Sequence, residues 1–337
     1  MYYGVDMKNI LFTNVGRRAK LLQNFKSSIG NEANIIATDN WSVAPALFFA
    51  DKYYLTKKIV SPEYIDEVFE ICDKENINAI TTLIDPEIML LAKYNDTFVK
   101  QGILPLLPSE KTAKLCFDKY EMFNYLKSNK IPTILTYKSL EDFELGYKNH
   151  EIDFPVFVKP RTGSGSVGAR KVNTYEELKT IFEFNSTNII IQEFFEGKDI
   201  DVDVYVDTIS KKTISMFAKK KIETRIGGTS KSYSFKDSKL FDFVHFVLDN
   251  FEFSGPTDIE VFEKNGKYIL SEINPRFSGA YLHAYGAGVD FPKMILNNIN
   301  GIENNSQIGN YDEDVIMLMY DDVVITKLEN LKGDYND

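Results

Sequence analysis

The sequence predicts an α/β protein in two parts: a Rossmann-like lobe over residues 1–108, then a longer part, 109–326, that becomes α+β. Two observations predict this. Short apolar runs alternate with helical patterns as far as Pro108, and beyond Lys130 the runs lengthen and come in hairpin-like pairs. The 337 residues are 44% hydrophobic and 26% charged. That composition suits two or three packed subdomains and excludes disorder or fibre.

In order, Asn9 to Thr13 reads as a strand, Asn14 to Arg18 as a turn, and Ala19, Leu21, Leu22 and Phe25 as one face of a helix. Further strands are expected over Ala33 to Thr38 and Ile77 to Leu83, with a helix over Ser61 to Glu75 between them. Pro105 to Pro108 closes the lobe. A single helix is expected from Lys111 to Asn129, stopped by Lys130, Ile131 and Pro132, because the residue before proline is pushed out of the helical region. The later strands are Val156 to Lys159, Ile189 to Glu193, Ile200 to Val206, Ile214 to Lys219, Asp258 to Phe262 and Tyr268 to Asn274. Lys327 to Asp337 is a polar tail expected to fray.

The net charge is −10, and the lysines are scattered among acidic residues, so no basic face for nucleic acid is expected. An anion site must then be built locally from Lys, Arg and backbone amides. Cys72 and Cys116 sit in apolar helical stretches and read as free thiols rather than a disulfide or zinc framework. Met1 to Phe12 lacks the apolar core of a signal peptide, and no run approaches the ~20 apolar residues of a membrane span. A cytoplasmic protein with no membrane partner is the expectation.

Gly163, Ser164, Gly165, Ser166, Val167 and Gly168 match G-x-G-x-x-G, a string shared by unrelated folds and by plain surface hairpins. A dinucleotide site needs a helix to open at this loop. Here Ala169 to Asn173 reads as a second strand, and the helix starts later, at Thr174 with Glu177 in a capping box. The unit is strand, loop, strand, whose small residues let backbone amides approach phosphate oxygens. Lys159 ends the preceding strand within reach of the same phosphates, and Lys119 is a second candidate cation.

Gly255 to Phe262, a turn at Lys264, Asn265 and Gly266, and Tyr268 to Arg276 form a β-hairpin carrying oxygen ligands. Period two puts Glu272 and Asn274 on one face, with Ile269 and Ile273 directed into a core. A two-residue Asn265-Gly266 turn sets Glu260 opposite Ser271, away from Glu272. A three-residue loop brings Glu260, Glu272 and Asn274 together, and the functional reading requires it. Two carboxylates and an amide oxygen are hard ligands for Mg²⁺. Arg276 stands beside them, where a guanidinium can hold a transferring phosphoryl group.

These residues resemble the ATP-grasp superfamily, most closely the synthetase domains of the carbamoyl-phosphate synthase large subunit. The likeness rests on Phe117-Asp118-Lys119, Phe154 to Pro160 with the loop after it, Gln192 to Asp199, and Ser271 to Arg276. It implies a pre-ATP-grasp domain over 1–108 and an ATP-grasp domain over 109–326, with a small lobe near 120–192 and a large lobe near 193–326. It further implies ATP phosphates on Lys119 and Lys159, an adenine hinge at Gln192, Glu193, Phe194 and Phe195, and a ribose contact at Asp199, where the family usually has glutamate. Glu260, Glu272 and Asn274 fall on the metal-ligand positions, Arg276 on the arginine facing the transferred phosphate, and Arg225 in the stretch bordering the second-substrate pocket. Against that likeness, one synthetase unit rather than two is expected, with no glutaminase domain following it.

The implied activity is ligation with ATP and Mg²⁺, for which Mn²⁺ could substitute: a small-molecule carboxylate becomes an acyl phosphate and an amine attacks it. Alternatives are a small-molecule kinase on the same fold and a non-catalytic ATP-binding regulator. The resemblance also implies a homodimer. His150, His245 and His283 carry no assigned role, with His283 a candidate to line the site or to pack.

Overall fold

A computed structural model of the chain describes residues 7–163, 168–184, 188–225 and 228–332. The first sheet holds β1 (Lys8–Thr13), β2 (Ala33–Asp39), β3 (Lys52–Leu55), β4 (Ala79–Thr82) and β5 (Leu104–Pro105), all parallel, in the order β3-β2-β1-β4-β5. Alternation sends Ile10 and Phe12 toward the helix Ala19–Ile29, and Leu11 toward the helix Tyr64–Lys74, so both faces are buried. The chain reverses its direction of travel between β1 and β4. A crevice at their carboxyl ends follows, the usual place for a ligand in such a sheet.

The helix expected over Lys111 to Asn129 is two helices, Glu110–Phe117 and Lys119–Ser128. Asp118 breaks it at φ −104° and ψ 102°, and its carboxylate accepts from the amides of Tyr120 and Glu121 at 3.0 and 3.1 Å, an N-cap that restarts the helix. Lys119 becomes the first residue of the new helix.

The second sheet is four-stranded: β6 (Thr136–Tyr137), β7 (Val156–Pro160), β8 (Arg170–Val172) and β9 (Ile189–Glu193), in the order β6-β9-β7-β8. Its core is its own, formed by Phe143, Val156, Val158, Leu178 and Ile191. The glycine loop joins antiparallel β7 and β8, and the helix Tyr175–Phe184 follows. Thr174 Oγ1 accepts from the Glu177 amide at 3.3 Å, and Glu177 reaches back to the Asn173 amide at 3.0 Å, close to the expected capping box. Ser164, Gly165 and Ser166 lie outside the described residues, as does Gly227.

The third sheet contains β10 (Lys198–Val206), β11 (Thr213–Arg225), β12 (Gly228–Phe235), β13 (Gly255–Lys264), β14 (Lys267–Asn274) and β15 (Ile316–Leu318), in the order β14-β13-β10-β11-β12-β15, every pair antiparallel. One face packs Ile200, Val202, Val204, Ile259 and Val261 against the helix Ser238–Leu248. At one end of the other face, Tyr205 and Phe217 join Phe12, Phe25, Phe277 and Phe291 in a core shared with the first sheet. The parallel lobe and the six-stranded sheet are thereby welded together. The polar tail is held as far as Lys332, whose Nζ donates to Tyr53 O at 3.1 Å, while Tyr53 Oη donates to Asn330 O at 3.2 Å. Among the described residues no helix is long and apolar enough to cross a membrane.

The hairpin between β13 and β14 corrects the register argument. Its turn has two residues, Asn265 at φ 56° and Gly266 at φ 73°, with Lys264 paired to Lys267. That register would place Glu260 opposite Ser271. Instead the ladder slips after Val261 pairs with Leu270, and Glu260 pairs with Glu272. Ser271 is the extra residue of a β-bulge, which restores the face that an odd-length loop was expected to supply. The bulge also reverses parity before it, so Leu270 enters the core with Ile273 and Ile269 does not.

Two predictions follow from this part of the fold. Gly266→Val forces a β-branched residue into a left-handed turn position and lowers stability by about 1–2 kcal/mol in chemical denaturation, whereas Asn265→Gly leaves it nearly unchanged. The second concerns Asp207, which is fully buried just past β10 and accepts from Asn298 Nδ2 at 2.7 Å, Asn304 Nδ2 at 2.9 Å and the Ser210 amide at 2.8 Å. Burial opposes its charge, but these bonds outweigh burial and hold the carboxyl well below the usual carboxylate range. A depressed folded-state value gives stability that is complete above the unfolded carboxyl's pKa of ~4 and is lost as pH falls below it. Asp207→Asn should flatten the decline of the urea midpoint between about pH 5 and 3; an unaltered slope would show that Asp207 does not drive it.

Candidate active site

Residues 199–204 alternate Asp, Ile, Asp, Val, Asp, Val. On β10 this sends the aliphatic residues into the core and three carboxylates to the opposite face. Cross-strand pairs extend that face. Asp201 lies opposite Glu260 on β13 and Lys219 on β11, Asp203 lies opposite Asp258, and Glu260 and Asp258 in turn face Glu272 and Asn274 on β14.

So many carboxylates on one half-buried face repel one another unless cations stand among them. Lys221 Nζ lies 3.0 Å from Asp199, 2.9 Å from Asp201 and 2.9 Å from Glu260. Burial works against its charge, but Glu260, Asp201 and Asp199 outweigh burial and hold its pKa well above the ordinary lysine value. Lys219, fully buried, pairs with Asp203. Burial pushes Glu260 above its ordinary value even with Lys221 beside it, and pushes Asp258 well above, with Asp201 adding to the effect.

Two further cations arrive from outside the six-stranded sheet. Lys159, at the end of β7, and Lys119, at the restarted helix, place Nζ 3.9 and 3.7 Å from the Glu272 carboxylate. Lys119 Nζ also donates to Gly163 O at 2.5 Å, tying the helix to the start of the glycine loop. Burial lowers the pKa of Lys159, with Glu272 opposing that shift. At the far end of β14, Arg276 makes a bidentate pair with Asp85 of the first lobe, Nε to Oδ1 at 2.8 Å and Nη2 to Oδ2 at 2.9 Å.

The structure thus brings together Lys119, Lys159, Glu260, Glu272 and Asn274, with Gly163 beside them. Asn274 Nδ2 donates to Asp258 at 3.4 Å, which leaves its Oδ1 available as a ligand. Three oxygen donors across one hairpin, compensated here by ammonium groups, fit a divalent ion such as Mg²⁺. Asp199 stands at the rim, on Lys221. Near the end of β9, Gln192 Nε2 donates to Thr136 Oγ1 at 2.9 Å, and Glu193, its last residue, donates its amide to Leu135 O at 2.9 Å. Phe194 lies under Lys171, 4.2 Å from ammonium to ring centre, and Phe195 packs on Phe262 with centroids 5.5 Å apart. The stretch from Gln192 to Gly197 is therefore the link between the four-stranded and six-stranded sheets.

Arg225 is not brought into this cluster. It sits at the exposed tip of β11, four residues or ~13 Å of strand beyond Lys221, with Nη1 3.0 Å from Asp321. His283 packs rather than lining the site: it is buried, with Nδ1 2.8 Å from Ser232 Oγ and Nε2 2.9 Å from Val315 O. Asn14 turns inward to Glu87 at 2.6 Å, and Arg18 is the side chain that its loop sends toward the hairpin. Lys221, Lys219, Asp201, Asp203, Asp258 and Asp85 escaped the sequence reading. The alternation of Asp199, Asp201 and Asp203 with apolar residues, and of Lys219 with Lys221, was the signal that could have found the strand members.

Comparison with known proteins agrees with this geometry. Residues 10–106 match the model of a PylC-like, N-terminal domain, and residues 116–280 match that of an ATP-grasp domain. The chain contains an ATP-grasp domain. Among curated proteins, D-alanine–D-alanine ligase B of Clostridium perfringens is 27% identical over 165 residues, which is 42% of this chain and 54% of that protein. The chain thus spans about half the length of the curated relatives it matches. Among solved structures, an N5-carboxyaminoimidazole synthetase from Staphylococcus aureus complexed with ADP superposes with a TM-score of 0.71 at 16% identity, over 89% of this chain and 79% of that one. The biotin carboxylase domain of the 2-oxoglutarate carboxylase of Hydrogenobacter thermophilus, in complex with MgADP and bicarbonate, also gives 0.71 at 16% identity, over 92% and 73%. At that identity the two structures attest the ATP-grasp fold.

Within this ATP-grasp face, Lys221→Met strands three carboxylates without their shared cation. It should lower stability by about 3–5 kcal/mol in urea denaturation, while Lys212→Met, at an exposed site, changes it by less than about 0.5 kcal/mol. Equal small effects of both would show that Lys221 is not the counter-charge.

Proposed function

We propose that the protein is an ATP-dependent ligase that phosphorylates a small-molecule carboxylate to an acyl phosphate and couples it to an amine. The observation that carries this reading is the convergence of Lys119, from the start of a helix, and Lys159, from the four-stranded sheet, on Glu272 of the metal hairpin, at 3.7 and 3.9 Å, with Arg276 just beyond. Binding ATP alone does not require an arginine beside the ligand face.

In this reading the phosphates of ATP replace Glu272 as the counter-charge of Lys119 and Lys159, and the glycine loop that begins at Gly163 binds them as well. Gln192, Glu193, Phe194 and Phe195 hold adenine, and Asp199 the ribose. Glu260, Glu272 and Asn274 hold Mg²⁺, for which Mn²⁺ can substitute. When bound, the ion supplies charge neutralisation at the phosphate oxygens. Arg276 holds the phosphoryl group as it reaches the carboxylate, and then the oxyanion formed when the amine adds to the acyl carbonyl. Phosphate leaves with its bridging electrons and the amine loses a proton. Arg225, at the strand tip, borders the second-substrate pocket. The substrates are small molecules, the compartment the cytoplasm and the assembly a homodimer; nucleic acid and membrane are not partners.

The test is ADP release from MgATP with a panel of amino acids and small carboxylic acids, with and without amines, and with hydroxylamine as a trap. Release should depend on an acid, a hydroxamate should form, and Glu272→Ala should reduce both at least about 100-fold. ADP without hydroxamate or ligated product would favour a small-molecule kinase. MgATP binding without any acid-stimulated turnover would favour a non-catalytic regulator.

A further inference from the structure

Two side chains from the first lobe reach the segment that follows the metal hairpin, and both start at the crevice between β1 and β4. Asp85 opens the helix after β4 and engages Arg276. Arg18 ends the turn after β1, just before the helix Ala19–Ile29, and its Nη2 donates to Phe277 O at 3.1 Å and Ser278 O at 2.5 Å. Arg276 Nη1 donates to the same Phe277 oxygen, also at 3.1 Å. The two nitrogens can thus be no farther apart than twice that distance. Two guanidiniums, one from each side of the interface, converge on a single carbonyl.

Their charges are not balanced alike. Arg276 has a carboxylate in bidentate contact. Arg18 is half-buried, has no carboxylate within 4.0 Å among the described residues, and its Nε and Nη1 donate to none of them. Burial, and then Arg276, lower its pKa to about 10, so it stays cationic at neutral pH. Asp258, Asp203 and Asp85 oppose that shift, but none is in contact, so Arg18 is a half-buried cation with two free donors, beside a second guanidinium and with no anion directly bound. Arg17, its neighbour, is 75% exposed and reaches Asp321 at 4.0 Å on the surface.

We propose that Arg18 is a substrate-binding residue that, with Arg276, receives an anionic group of the acid, as the carboxylate or as the phosphoryl group it acquires. The assignment of that anion to a substrate rests on the ligase reading. It also answers how a chain of net charge −10 attracts an acid. The first lobe delivers a guanidinium locally, where it meets the end of the metal hairpin.

The experiment is calorimetric titration of the full chain, preloaded with MgADP, with inorganic phosphate and separately with acetate. Wild type should bind phosphate, and Arg18→Gln should weaken that binding about 10- to 100-fold, the loss expected of charge-assisted hydrogen bonds, with MgADP affinity unchanged. Arg17→Gln should bind phosphate like wild type. Arg18→Lys keeps the charge but not the fork and should fall between; it carries the test if Arg18→Gln does not fold. Acetate binding with the same Arg18 dependence assigns the site to the carboxylate, and phosphate binding alone assigns it to the phosphoryl group. Phosphate affinity indifferent to Arg18, or no anion binding by wild type that binds MgADP, would overturn the inference. Failure of wild type to bind MgADP would count against the ligase reading instead, and the same titrations on nucleotide-free protein then decide the role of Arg18.

Discussion

Carboxylates can share a half-buried sheet face only if cations are placed among them, and most of what is distinctive here meets that condition. Asp199, Asp201 and Glu260 lie around Lys221 at 2.9 to 3.0 Å, Asp203 takes Lys219, Glu272 faces Lys119 and Lys159, and Asp85 takes Arg276. These cations come from different strands and lobes, so the balance exists only in the assembled fold. Such a face is also suited to exchanging partners. An incoming polyanion with its divalent ion can take over ammonium groups now held by Glu272 without leaving any charge unpaired.

The register that creates the face depends on one residue. A tight Asn265-Gly266 turn is the favoured way to close a hairpin, yet it sets Glu260 and Glu272 out of register; Ser271, bulged out of the ladder, brings them back. The same bulge exchanges Ile269 for Leu270 in the core, so ligand geometry and packing are corrected together.

The first lobe is more than a neighbour of the nucleotide domain. Phe12 and Phe25 share a core with Phe277, Phe291 and Tyr205, which fixes the crevice between β1 and β4 against the end of β14. Arg18 and Asp85 can then act on Arg276 and Phe277 as rigidly as if they belonged to one domain. The four-stranded lobe keeps a separate core and connects to the six-stranded sheet through the short stretch after Glu193 and through Pro132 and Thr133, which bond to Leu270 of β14. Lys159 and Gly163 therefore come from a body with its own core, whereas Lys119 opens a helix whose Met122 and Leu126 pack in the core of the six-stranded sheet.

Periodicity alone determined much of this protein. The alternating strands and helices of the first lobe, the strand-loop-strand around Gly163, the hairpin and its oxygen ligands, and the lysines beside them are local patterns, and local patterns survive in one dimension. The break at Asp118 was hidden because a capping aspartate inside a helical pattern looks like any exposed residue until its carboxylate is seen on the Tyr120 and Glu121 amides. Tertiary structure alone decided the rest: that Glu260 meets Glu272 through a bulge, that Lys221 stands among three carboxylates, that Arg225 lies at a strand tip, and that Arg18 meets Arg276. The physical reason is common to all four. Register and charge pairing are settled by residues tens to hundreds of positions apart, and only the folded chain sets the distances between them.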